Sequence, residues 1–102
     1  MQLYAIRRRS VWADEKELEA AAAESARVGE QMADRLRWIR SYVVKEDDGR
    51  VGSVCIYQAS DPEAIREHGR RIGAYSEDFQ PVTMTAIVRN DPEDAAYADT
   101  GV

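Results

Sequence analysis

The two ends of the folded body alternate between polar and apolar positions with a period of two residues. The first alternating segment covers residues 2 to 9, and the last covers residues 81 to 89. In the first, Tyr4, Ile6 and Arg8 share one side; in the last, the shared side carries Val82, Met84, Ala86 and Val88. This period predicts a strand at each end of the domain.

The segment after the first strand has the spacing of a helix. Asp14 precedes Glu15-Lys16-Glu17, which is typical of a capped helix start. The apolar stripe that follows is Leu18, Ala21, Ala22, Ser25, Gly29, Met32 and Leu36. Because its middle is made of small residues, and because Gly29 costs about 1 kcal/mol relative to alanine, we expect this helix to lie close against a sheet.

A second helix is predicted after Ser60. Asp61 can cap it, Pro62 suits its first turn, and Gly73 is a typical residue just past its end near Ile72.

Between the helices, residues 37 to 46 and 51 to 59 predict two strands joined by a hairpin. With Asp48-Gly49 as a two-residue turn, Tyr42 is expected opposite Cys55 and Arg40 opposite Tyr57. This register predicts a core face of Ile39, Val43, Val54 and Ile56. The other face carries Trp38, Arg40, Tyr42, Ser53, Cys55 and Tyr57, and is predicted to be a ligand cavity or a subunit interface. The residues predicted to line the cavity are Trp38, Arg40, Tyr42, Cys55 and Tyr57.

The order β-α-β-β-α-β predicts an α+β, ferredoxin-like domain, with a four-stranded antiparallel sheet and two helices on one face. Two helices cover only one face, so we expect a homodimer in which the sheets face each other as a dimeric α+β barrel. The domain is expected to span residues 1–89, and residues 90–102 to form an acidic, flexible tail.

Composition narrows the classes of partner. The net charge is −5, but four of the 19 acidic residues follow residue 89, which leaves 15 against 14 basic residues in the body. A nearly neutral body argues against nucleic acid binding. No apolar run reaches the length of a membrane span, and the start lacks the pattern of a secretory signal. The lone Cys55 fits a reducing compartment, so a cytoplasmic protein is expected.

His68 is the only histidine, and the helical period turns it toward the sheet. It can be a buried neutral residue bonded to a carbonyl or a tyrosine hydroxyl, or it can be a metal ligand or proton-transfer group. Cys55 is either a small buried hydrophobe or, if exposed beside a cation such as Arg40, part of a site. No sequence motif of a reaction accompanies them.

Three stretches of the sequence, "RWIRSYVV", "VCIYQASDPEAIREHGRRIG" and the closing valine-rich strand, resemble a family of small bacterial proteins classed as a domain of unknown function. That family includes a nickel-binding protein with a dimeric ferredoxin-like fold. The resemblance spans roughly residues 2 to 89 and implies the same fold, a dimer and nickel or another divalent transition metal. Arg40 stands where related sequences can carry a histidine, and a permanent cation opposes a metal there. The ligands that the resemblance leaves are His68, with Cys55 or Glu67.

Three functions therefore stay open. The first is transition-metal binding. The second is a small-molecule enzyme, oxygenase-like or isomerase-like, that uses a cavity between the two sheets. The third is a non-catalytic ligand-binding or assembly module.

Overall fold

The computed structural model describes residues 1–92, and the remainder of the predicted acidic tail, residues 93–102, lies outside the described residues. The elements in chain order are β1 (Gln2–Trp12), α1 (Glu15–Gln31), β2 (Leu36–Lys45), β3 (Val51–Ala59), α2 (Pro62–Arg71) and β4 (Phe79–Pro81). No helix in residues 1–92 is both long and apolar enough to cross a membrane.

The sheet is antiparallel, with the strand order β2-β3-β1-β4. Both helices pack on one face of it, which confirms the predicted ferredoxin-like fold. The main core lies between this helix face and the helices. Its buried side chains are Tyr4, Ile6, Val28, Met32, Leu36, Cys55, Tyr57, Ala59, Ala64 and Ile65. A smaller cluster of Trp12, Val51 and Ala74 closes one end.

Both helix starts follow the predicted capping chemistry. Asp14 accepts a hydrogen bond from the backbone N–H of Glu17 at 2.9 Å, and Asp61 accepts one from Ala64 at 2.9 Å. Each carboxylate satisfies an N–H group that the first turn leaves free. At the end of α2, Gly73 adopts a φ of +70°, and Ala74 N donates to Gly69 O at 3.0 Å. This is the glycine-terminated ending expected from the sequence.

The hairpin between β2 and β3 differs from its prediction by one residue. Gly49 N donates to Glu46 O at 3.0 Å, Glu46 N donates to Arg50 O at 2.8 Å, and within the turn only Gly49 has a positive φ. The connection is thus a turn followed by a left-handed glycine, which is longer than a two-residue turn. Its register pairs Ser41, not Tyr42, with Cys55.

The faces of β3 are the reverse of those predicted, because β3 pairs with β1 so that Cys55 lies opposite the core residue Ile6 and Tyr57 opposite Tyr4. Ser53, Cys55 and Tyr57 point into the helix face and are buried, whereas Val54 and Ile56 lie on the opposite, outer face. The prediction that Val54 and Ile56 form the core is therefore wrong.

From Arg40 to Val43, β2 keeps its predicted faces, because Val43 pairs with Ser53 on the helix face. Because of a β-bulge between Trp38 and Arg40, Trp38 lies on the helix face together with its partner Tyr57. Ile39 and Val43, which were predicted to lie in the core, are 53% and 49% exposed. Arg40 and Tyr42 pair with the outer-face residues Ile56 and Val54.

Two features of α1 also differ from expectation. The helix ends at Gln31, and Leu36, predicted as its last apolar position, is the first residue of β2. A Cβ at Gly29 would meet no atom within 4 Å, so this glycine does not serve a close approach to the sheet.

The last strand is much shorter than the predicted span of residues 81 to 89. β4 pairs with β1 with Tyr4 opposite Pro81, and Val82 N adds a bond to Leu3 O at 2.8 Å. Continued antiparallel pairing would set residue 84 opposite Met1, where β1 has already ended. Residues 82–90, here named the C-terminal arm, therefore continue without a partner strand and are exposed beyond Val82.

Gly52 is required by the close approach of β1. A Cβ at this position would overlap the backbone carbonyl oxygen of Arg8 and the carboxylate of Glu46. The carbonyl belongs to the bulged part of β1 between Arg8 and Trp12, where Ser10 has a φ of 52°. A backbone atom cannot move away without disturbing the β1–β3 pairing.

Gly52→Ala is thus expected to lower the free energy of unfolding by about 1–3 kcal/mol through overpacking, measured by urea denaturation. Gly29→Ala is the matched control, since it adds the same methyl group in open space and is expected to gain up to ~1 kcal/mol from helix propensity. Equal stabilities for Gly52→Ala and the wild type would contradict this account of the β1–β3 contact.

Candidate functional site

A cleft of about 870 Å³ opens between α1 and strands β2 and β3, on the helix face. We name it the helix-side cleft. Its α1 wall is formed by Leu18, Ala21, Ala22 and Ser25, and the sheet supplies Arg8, Trp38, Ser41, Val43, Ser53, Cys55 and Tyr57. The small α1 side chains were expected to bring the helix close to the sheet. Instead they leave the space unfilled, which creates the cleft.

A buried arginine lies in the floor of this cleft. Arg8 is only 3% exposed. Its Nε donates to the carbonyl of Ala74 at 2.7 Å, its Nη1 donates to the sulfur of Cys55 at 3.3 Å, and its guanidinium carbon lies 6.0 Å from the ring centre of Tyr57. Within residues 1–92 no carboxylate forms an ion pair with it. Charged side chains are rarely buried without such a pair.

Cys55 joins Arg8 to the polar residues around it. Its sulfur lies 3.1 Å from the hydroxyls of both Ser41 and Ser53. Ser41 in turn accepts a hydrogen bond from the indole N–H of Trp38 at 2.8 Å. The floor of the cleft is therefore a connected set of donors around a thiol and not an apolar surface.

Tyr57 and His68 form a second buried contact behind this floor. Their rings lie 5.3 Å apart, and both are 1% exposed. The Tyr57 hydroxyl lies 3.3 Å from the hydroxyl of Ser25, and His68 Nε2 lies 3.2 Å from the Ser25 carbonyl oxygen. Since a carbonyl only accepts, Nε2 carries the proton and donates.

Burial controls the protonation of both residues. It raises the pKa of Tyr57 to about 12, against weaker opposing effects of Arg8 and Ser25. Burial also lowers the pKa of His68 below its ordinary value of 6.5, and the positive charge of Arg8 acts in the same direction, whereas the hydrogen bond to Ser25 opposes it. A neutral imidazole and a neutral phenol follow.

The five residues predicted to line a cavity are divided by the register. Trp38, Cys55 and Tyr57 line the helix-side cleft from the sheet, whereas Arg40 and Tyr42 belong to the outer face and reach only the mouth of the cleft at the edge strand β2.

At this mouth the two residues meet the end of the described chain. The Tyr42 hydroxyl donates to Asp91 at 2.9 Å, and Arg40 lies 3.7 Å from the same carboxylate. Asp91 and Pro92 thus border the cleft entrance.

The residues that sequence reasoning missed are Arg8, Trp12, Ser25 and Ser53, of which Ser53 was assigned to the cavity face without a role. The available signal was the alternation of Tyr4, Ile6 and Arg8, which places the arginine on the side of two apolar residues. The run Arg7-Arg8-Arg9 does not itself indicate that one of the three arginines is buried.

Comparison with known proteins gives two findings and one negative result. Residues 4–82 match the family described as nickel responsive protein SCO4226-like, which confirms the resemblance inferred from the sequence. The crystal structure of SCO4226 from Streptomyces coelicolor A3(2) is similar in fold, with a TM-score of 0.65 at 14% identity, covering 82% of this chain and 99% of that one. No curated protein matches significantly.

In residues 1–92, the three predicted metal ligands are not brought together into one cluster. Glu67 pairs with Arg35 at 3.0 Å, while His68 Nε2 donates to the Ser25 carbonyl at 3.2 Å. Cys55 lies beside the Arg8 guanidinium, whose permanent charge repels a metal cation. In the described part of the chain, no cluster of three potential ligands occurs elsewhere either.

The lowered pKa of His68 predicts a loss of stability on mild acidification. As the pH falls through about 6.5, histidine in the unfolded chain takes up a proton while the folded, buried imidazole remains neutral, so protons favour unfolding. We expect a lower free energy of unfolding at about pH 5.5 than at about pH 7.5, measured by chemical denaturation.

His68→Gln, which keeps a donor for the Ser25 carbonyl, is the control and is expected to lose most of this pH dependence. Nickel uptake by the same variant, measured by calorimetric titration, is expected to match the wild type. A pH slope that survives the substitution, or nickel uptake that disappears with it, would contradict the structural role of His68.

Proposed function

The chain belongs to the SCO4226-like family of nickel-responsive proteins, and from this basis we propose that it is a homodimeric protein that binds a small molecule in its helix-side cleft. The observation that carries the proposal is the cleft itself. Its volume of about 870 Å³ lies in the range of small-molecule sites. Its apolar walls and converging polar floor also have the composition of such sites.

Binding, rather than a reaction, is the function that these groups support. His68 does not line the cleft, and its Nε2 proton is held by a carbonyl. Tyr57, with its pKa raised to about 12, is a poor source of a phenolate at neutral pH. A positioned general base would need an accessible group that titrates near the working pH. This favours the ligand-binding alternative over the oxygenase-like or isomerase-like one.

The cleft can be tested with N-phenyl-1-naphthylamine, a neutral dye that fluoresces in apolar sites. We expect saturable binding of one dye per chain. Ala22→Phe places a ring in the cleft and is expected to weaken dye binding at least about tenfold through steric exclusion.

Ala23→Phe is the matched control, because position 23 is exposed on α1 and does not line the cleft. Dye binding is expected to be unchanged in this variant. Absence of saturable binding to the wild type, or equal affinity in Ala22→Phe, would remove the proposed function.

The homodimer is proposed from the apolar side chains that one chain leaves uncovered. On the C-terminal arm, Met84 and Val88 are 81% and 84% exposed. No helix of the described chain covers the outer face of the sheet, where Val54 and Ile56 lie. A second copy that covers the arm and this face would bury surface that monomers rarely expose.

Nickel is the second candidate ligand, and the description of the matched family supports it. We propose that any nickel site of this protein draws on side chains other than the trio His68, Cys55 and Glu67, for instance across the subunit contact.

A cytoplasmic location is proposed from the free thiol of Cys55, which fits a reducing compartment.

The proposed dimer contact predicts that positive charges on the apolar side chains of the C-terminal arm prevent dimer formation. Wild-type protein is expected to sediment as a dimer at micromolar concentration without added nickel, because the proposed contact is apolar. The double variant Met84→Lys, Val88→Lys is expected to sediment as a monomer. Thr83→Lys with Thr85→Lys is the charge-matched control. A monomeric wild type, or a dimer in the first variant, would contradict the proposal.

A further inference from the structure

We propose that the ligand of the helix-side cleft carries a carboxylate group that pairs with Arg8, attached to an apolar body. This inference rests on the proposed function, because it names the chemical class of ligand for the same cleft. Its starting observation is a cation that lines the cleft, is 3% exposed and is paired with no carboxylate in residues 1–92.

Burial of an unpaired guanidinium opposes folding, because the charge loses its hydration without gaining a counter-ion. The contacts of Arg8 in the chain are a carbonyl, a thiol, and the ring and hydroxyl of Tyr57, which orient the group without neutralising it. A carboxylate in the cleft would supply the missing charge. The planar guanidinium matches a carboxylate through paired hydrogen bonds.

The surroundings of Arg8 favour an amphipathic acid over a small inorganic anion. Trp12, Trp38 and Leu18 line the cleft, so a ring or aliphatic chain would find apolar contact there. Glu15, Glu19 and Asp91 line the same cleft and repel a freely diffusing anion. A ligand whose apolar body adds binding free energy can overcome this repulsion, whereas phosphate cannot.

Calorimetric titration with sodium benzoate and with benzamide tests the inference at constant ionic strength. The two molecules share a ring and differ in charge. Wild-type protein is expected to bind benzoate at least tenfold more tightly than benzamide, a difference of about 1.4 kcal/mol. Inorganic phosphate is expected not to displace benzoate.

Arg8→Met is expected to lose the benzoate preference while benzamide affinity stays the same. Arg9→Met is the matched control, since it removes the same charge from the next residue, whose side chain is exposed and pairs with Asp78. It is expected to keep the preference. The wild-type comparison needs no variant, so a folding defect in Arg8→Met leaves the test intact.

Equal wild-type affinity for benzoate and benzamide would overturn the inference, as would a preference that survives Arg8→Met or displacement by phosphate. Saturable binding of the neutral dye with no carboxylate preference would overturn this inference alone. Failure of the dye to bind would instead overturn the proposed function.

Discussion

The register between β2 and β3 is the constraint on which the rest of the structure depends. Its origin is the turn around Gly49, where one additional residue between the strands sets Ser41 opposite Cys55. Because a shift of one residue exchanges the two faces of a strand, this turn decides which side chains of β2 share the helix face with those of β3. It places Ser41 beside Cys55 on the helix face and leaves Arg40 and Tyr42 on the outer face.

The space beside Arg8 and Cys55 results from the small side chains of α1. The helix lays small residues, among them Ala21, Ala22 and Ser25, over the edge of the sheet that β2 forms. Larger side chains would have filled the gap and sealed Arg8 from any ligand. The cleft therefore combines two separate features, a helix stripe of small side chains and a register that turns Ser41 toward Cys55.

The element order could be predicted because its signals are local. Asp14, Asp61 and Gly73 act within one helical turn, and each occupies the role that its residue type suggests. Register could not be predicted in the same way, since Asp47-Asp48-Gly49 suits both a two-residue turn and the longer one. Both faces of the hairpin also carry apolar residues, so the alternation of side chains did not indicate which face packs against the helices. The position at which β4 ends could not be predicted either, because it depends on the pairing of β4 with β1 and not on the local sequence.

The site was predicted only in part for the same reason. Trp38, Cys55 and Tyr57 were grouped correctly, but they were assigned to a face between two subunits, and His68 was separated from them by the sheet. In the structure Tyr57 contacts His68 directly, because both lie on the helix side. A buried arginine is the least predictable member, since burial of a charge depends on the whole packing around it and on what neutralises it.

The fold of SCO4226 is shared by this chain, while the metal ligands that such a family suggests are not brought together in the described residues. The most direct measurement of the central claim is the β2–β3 register in solution, observed by nuclear Overhauser contacts between protons. The account predicts backbone contacts of Ser41 with Cys55 and of Tyr42 with Val54, together with ring contacts between Tyr57 and His68. Backbone contacts of Tyr42 with Cys55, and no ring contact, would contradict it.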